Sequence, residues 1–224
     1  MRTLSPHGRG GNGVWRGALR RAIFRPMLHI ERHAPQGSAR PDARTLLIAH
    51  GLFGSARNWG AIARRLADIR PVLAVDMRNH GASPRSPDHS YTALAADLAE
   101  VIAANGAPMD VLGHSMGGKA AMALALLHPG LVRRLIVADI APTAYAHDQR
   151  QHIAAMRALN LDGLSTRSEA DRRLAATTPD AALRAFLLQS LDLKATPPRW
   201  RLNLDALEAE MPHVLGWPDL PGQF

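Results

Sequence analysis

Five residues, Gly113-His114-Ser115-Met116-Gly117, stand between an apolar run, "MDVL" (109–112), and a run of small residues, "AAMALALL" (120–127). The pattern predicts a strand that turns sharply into a helix. A turn that short brings strand and helix almost into contact. The residues flanking it must then carry next to no side chain, and Gly113 and Gly117 meet that demand. This one feature implies a sheet with helices packed on it, and it places a serine hydroxyl at the sheet's edge.

The rest of the chain repeats the alternation. "ARTLLIAH" (43–50), "RPVLAVDM" (70–77), "PMDVLGHS" (108–115) and "VRRLIVADIAP" (132–142) read as strands. "MLHIERHAP", from Met27, reads as a short first strand. Helical spacing appears at 58–68, at 91–106 with Gly106 placed as a C-terminal cap, and at 116–130. Strands alternating with helices predict an α/β fold with a mainly parallel sheet and right-handed crossovers. Residues 146–210 show helical stretches and no convincing strand, so a helical insertion over the carboxyl edge of the sheet is expected. At 224 residues the chain suffices for one sizeable core. The expected organisation is a basic extension (1–26), an α/β core (27–145), a helical cap (146–215) and a terminal loop (216–224).

Charge narrows the function classes. The formal net charge is +8, but residues 1–26 hold six arginines and no acid, so residues 27–224 carry only +2. The excess lies in one tail rather than on a folded surface, and no nucleic-acid-binding motif accompanies it, which argues against nucleic-acid binding. The tail's composition fits a disordered appendage, an organelle transit segment or sequence translated upstream of a start at Met27. There is no cysteine, which excludes disulfides and thiolate metal sites. No apolar run approaches the ~18 residues of a membrane span. With no export signal, a cytoplasmic site is the default expectation. No pattern asks for a metal or cofactor.

Four stretches carry chemistry. "GHSMGG" (113–118) fits the G-x-S-x-G nucleophile elbow, with Ser115 as candidate nucleophile. The N-terminus of the following helix aims free N–H groups at a developing oxyanion, so Met116 is one candidate donor. "HGLFGS" (50–55) follows the first strong strand and can supply the second, from Leu52 rather than Phe53. His50 there is read as a brace for the loop, and Gly51 and Gly54 permit its close approach. Gly51, Phe53, Gly113, His114 and Gly117 are read as supports of the site. Asp76, Arg78 and His80 in "DMRNHGAS" (76–83) are read as a hydrogen-bonded brace. Asp139, at the end of the fourth strand, either orients a catalytic histidine or caps its loop.

"HGLFGS", "DMRNHGAS", "GHSMGGK" and "DIAP", in this order, resemble the α/β-hydrolase superfamily and, within it, the YbfF-type esterases and their mitochondrial relatives. The resemblance covers about residues 43–224, and "PHVLGW" (212–217) is similar to the family's cap. It implies a serine esterase acting on short-chain acyl esters or thioesters, with Ser115 as nucleophile and Asp139 as triad acid. It also implies a histidine on a loop after the last strand. The chain is read as ending before that strand, roughly 50 residues short. His147, His152 and His213 follow Asp139 but fall in the expected cap, and His213 is read as substrate-lining or structural rather than as a base. The alternative expectation is an inactive fragment or binding module that lacks the triad histidine.

Overall fold

The computed structural model describes residues 27–35 and 43–224. The basic extension and its three readings lie outside the described residues. The central sheet has five strands: β1 (Ile30–His33), β2 (Leu46–Ala49), β3 (Val72–Val75), β4 (Met109–His114) and β5 (Val132–Ala138), in the order β1-β3-β2-β4-β5. β2 pairs parallel with β3 and β4, and β4 pairs parallel with β5. Only the short edge strand β1 runs antiparallel, against β3.

Every residue of β2 and β3 is buried, as unbroken apolar runs such as "LLIA" and "VLAV" require. Their side chains alternate between two cores. Leu46, Ile48, Val72 and Ala74 pack with Ala63 and Ala67 of α1 (Gly60–Ala67). Leu47, Leu73 and Val75 face the other side, with α2 (Tyr91–Asn105) and α3 (Met116–Leu127). Ser90 caps α2 by accepting from the Ala93 N–H, and Gly106 ends it at φ 101°.

After β5 come α4 (Arg150–Ala158), α5 (Arg167–Leu174), α6 (Ala181–Leu188), α7 (Leu204–Ala209) and α8 (Met211–Leu215). Ile153, Met156, Leu187 and Met211 from this layer belong to the same buried cluster as Leu47 and Val75. The expectation of no strand here is corrected: β6 (Leu191–Asp192) and β7 (Arg199–Trp200) form a small antiparallel hairpin. "TPP" at 196–198 forbids a continuous helix, and the Trp200 indole is fixed by donating to the Met156 carbonyl at 2.9 Å. The terminal residues 216–224 contain no helix or strand.

Arg78 and Asp97 form a buried bidentate pair. Arg78 Nε and Nη2 donate to Asp97 at 2.6 and 2.8 Å, and the guanidinium also meets the carbonyls of Asp88 and Ala93. The pair ties the loop after β3 to α2. Removing one partner strands the other charge. Asp97→Ala is expected to lower the unfolding free energy by about 3–5 kcal/mol, read from urea midpoints. A loss below about 1 kcal/mol would refute this brace.

Candidate active site

β4 ends at His114 and α3 begins at Met116, leaving Ser115 alone in the turn. Its φ of 51° and ψ of −121° are rarely adopted by a residue with a side chain. Backbone bonds hold it there. The Ser115 N–H donates to the Ala138 carbonyl of β5 at 3.0 Å, and the N–H groups of Gly118 and Lys119 donate to the Ser115 carbonyl at 2.8 and 3.1 Å. The two glycines predicted to flank the turn sit where nothing larger fits. A Cβ at Gly113 would lie 2.2 Å from the Gly117 carbonyl oxygen, and one at Gly117 2.4 Å from that of Ala49. Gly118 belongs to the same constraint, with Ile140 2.6 Å from where its Cβ would be. The sequence reading did not single it out.

The loop after β2 approaches this turn closely. A Cβ on Gly51 would lie 3.1 Å from Ser115 Cβ. Among the described residues, the N–H groups of Leu52 and Met116 meet no acceptor. The Phe53 N–H is already used, donating to His80 Nε2 at 3.2 Å. This is the physical reason for preferring Leu52 over Phe53. Phe53 itself holds φ 63°, and Asp76 supports the next turn by accepting from the Ala56 and Ala82 N–H groups at 2.8 Å each.

Three buried histidines tie these loops together. His50 Nδ1 donates to the Gly51 carbonyl at 2.8 Å, and its Nε2 accepts from the Met77 N–H at 2.9 Å. His80 Nδ1 donates to the Arg78 carbonyl at 2.8 Å while its Nε2 accepts from Phe53. His89 Nδ1 accepts from the Asn79 amide at 3.2 Å, and its Nε2 lies 3.3 Å from Met116 Sδ. Each ring accepts a hydrogen bond at one nitrogen and is therefore neutral. Burial lowers the pKa of His50 to about 4 and of His89 to about 3, and drives that of His80 well below its ordinary value.

Asp139 follows β5 at φ 59°. Its carboxylate is 86% exposed and lies 3.6 Å from His114 Nε2. Among the described residues no imidazole nitrogen is hydrogen-bonded to Ser115 Oγ. Of the two roles expected for His213, substrate-lining or structural, the lining role is corrected. His213 does not line the cavity beside Ser115. Its side chain is 63% exposed, and its Nδ1 is 2.9 Å from Glu210, one turn back. α8 contributes Val214 and Leu215 to the cavity instead, and the histidines lining the cavity are His50, His114, His147 and His152.

The cavity has a volume of about 480 Å³, within the usual range for small-molecule sites. The sheet side supplies Leu52, Phe53, Trp59 and Ser115; the helical layer supplies Phe186, Val214 and Leu215. Among the described residues no Asp or Glu lines it. Tyr91, Lys119 and Tyr145 also line it. Sequence reasoning missed these three, and only the lysine ending "GHSMGGK" gave any local signal. Among the described residues no group of three or more metal-ligating side chains converges.

A strained serine between a parallel strand and a helix, under an apolar cavity roofed by helices, defines a class of fold. The chain belongs to the α/β-hydrolase fold family, whose model matches residues 44–212. Among its relatives, it is 40% identical over 182 residues to the mouse sn-1-specific diacylglycerol lipase ABHD11, covering 77% of this chain and 59% of that protein. It is 37% identical over 178 residues to esterase YbfF of Escherichia coli, covering 79% of this chain and 68% of that one. A solved marine microorganism esterase superposes with a TM-score of 0.79 at 35% identity, covering 87% of this chain and 75% of its own. The chain thus spans less than two thirds of the mouse relative's length. The fold and the resemblance to esterases agree with the sequence reading.

Proposed function

We propose that the chain carries the acylation site of a serine esterase for short-chain acyl esters or thioesters. The observation that carries this reading is Ser115, held at φ 51° beside an apolar cavity with the unpartnered N–H groups of Leu52 and Met116 close by. Ser115 Oγ attacks the acyl carbonyl carbon, and the two N–H groups hold the oxygen as it gains charge. The alcohol or thiol leaves with a proton, and water then cleaves the acyl-serine. Asp139 is the acid of the triad in this reading and would orient a histidine that takes the Ser115 proton and passes it to the leaving alcohol or thiol; the described residues bring no imidazole to Ser115 Oγ, so that base is the part of the triad this reading adds. The names of the relatives, esterase and diacylglycerol lipase, support hydrolysis of a carboxylic ester.

A second reading has one observation in its favour. No imidazole bonds Ser115 Oγ among the described residues, so the cavity can also serve as an acyl-binding site without turnover. Hydrolysis of p-nitrophenyl butyrate separates the two. The esterase reading expects release of nitrophenol by the native chain and a fall to the buffer rate in Ser115→Ala. Equal rates in the two folded proteins would overturn it and leave the binding reading.

A further inference from the structure

Lys119 is buried at 1% exposure, yet among the described residues it has no ion pair with an acid. Its ammonium instead donates to the carbonyls of Leu215 and Gly216 at 3.0 and 2.6 Å. The rings of Tyr145 and Tyr91 lie 4.9 and 5.6 Å away. Carbonyl dipoles and aromatic faces thus replace a counter-ion. The arrangement continues along the chain. Tyr91 Oη donates to the Val214 carbonyl at 2.7 Å, and the Tyr145 N–H donates to the Leu215 carbonyl at 3.0 Å. Three successive carbonyls at the end of α8 are held by donors from α2, α3 and the segment after β5. Helix ends leave such carbonyls without intrahelical partners, and a cation there is favourable.

We propose that Lys119 is a positioning and specificity-determining residue that fixes the end wall of the acyl cavity. Lys119 stands four residues after Ser115, about one turn along α3. Its ammonium bonds the segment whose Val214 and Leu215 line the cavity. The depth of the cavity beyond Ser115 is therefore set by a bond network anchored on the nucleophile's own helix. Burial lowers the lysine's pKa, in keeping with a site built for its donors rather than for a salt bridge. The role in hydrolysis rests on the esterase reading; the role as a wall does not.

The test follows chain length, which a purely structural loss would not reorder. Neutral primary alcohols from butanol to dodecanol displace N-phenyl-1-naphthylamine from the native chain and from Lys119→Met, Lys119→Gln and Tyr91→Phe. Nitrophenyl acetate, butyrate and octanoate are compared in parallel. In Lys119→Met the wall loses two donor bonds, so the longest alcohol bound well shifts upward. Two further buried methylenes correspond to a gain on the order of tenfold in the ratio of long-chain to short-chain affinity. Lys119→Gln keeps a donor and stays near the native ratio. Tyr91→Phe frees the Val214 carbonyl and shifts the ratio the same way, which keeps the proposal exposed if Lys119→Met does not fold. An unchanged alcohol series in Lys119→Met, or in Tyr91→Phe where the former does not fold, overturns it. A shifted series with no ester hydrolysis by the native chain leaves the wall standing and removes the esterase reading.

Discussion

A single added methyl group at Gly117 is expected to cost about 3 kcal/mol of stability, the upper end of what overpacking costs, and, on the esterase reading, to abolish any hydrolysis at Ser115. The Cβ of Gly117→Ala would fall 2.4 Å from the Ala49 carbonyl oxygen and 2.5 Å from that of His50. Both atoms are backbone at the end of β2, so no rotamer change can relieve them. Either α3 lifts off the sheet or β2 shifts, and β2 pairs on both sides. Overpacking at a site that yields costs about 1–3 kcal/mol, and a strand paired on both sides yields less than a side chain does. Gly113→Ala meets the Gly117 carbonyl oxygen at 2.2 Å and belongs to the same class. Gly130→Ala is the control. Among the described residues nothing lies within 4 Å of where its Cβ would be, so it is expected to be neutral or slightly stabilising. Urea unfolding of the three variants decides the matter. A Gly117→Ala midpoint equal to that of Gly130→Ala would show that the elbow is not as tight as its geometry.

Mild acid is expected to unfold the protein well above the range where its carboxylates titrate. His50, His80 and His89 are 1%, 0% and 1% exposed and accept hydrogen bonds in the neutral form. Their folded-state pKa values lie below the ordinary 6.5. The unfolded chain therefore binds more protons than the folded one as pH falls below about 6.5. Stability is complete above that value and declines through pH 5 toward about 4 for His50 and about 3 for His89. At 1.36 kcal/mol per pH unit, His50 and His89 each withdraw about 2 kcal/mol by pH 5, and His80 acts in the same direction. Together this is comparable to the whole stability of a small domain. Unfolding free energies at pH 7.5, 6 and 5 measure the effect. His89→Gln, which cannot take up the proton, is expected to flatten the acid limb by about one proton. A stability that does not change between pH 7.5 and 5 would mean that these rings are not held neutral.

These three histidines mark where sequence reading stopped. "HGLFGS" and "DMRNHGAS" are visible as turn chemistry after strands, and His50 and His80 are readable as braces from their residue type. Their partners are not. His80 meets Phe53 across 27 residues, and His89 meets Met116 across another 27. His89 was not singled out at all. Strand and helix positions were legible with ends a few residues too long. The run 43–50 became β2 at Leu46–Ala49 because apolar character extends past the pairing, which stops where the loops turn away. β1 was visible as a strand, but its antiparallel direction depends on its neighbour β3. His213 shows the converse limit. The sequence left it substrate-lining or structural, and its position on α8 pairs it with Glu210 and away from the cavity.

The sequence by itself determined the alternation of strands and helices, the end of α2 at Gly106 and the strained turn at Ser115. Each depends on residues within a few positions of one another, where backbone sterics and side-chain size act directly. Only the tertiary structure decided what surrounds that turn. It brought Leu215 and Gly216 onto Lys119, 96 and 97 residues away, aimed α8 so that Val214 rather than His213 lines the cavity, and left Asp139 beside His114. Those contacts arise from the docking of whole elements onto a shared core, and no local pattern encodes which face of one helix meets the end of another.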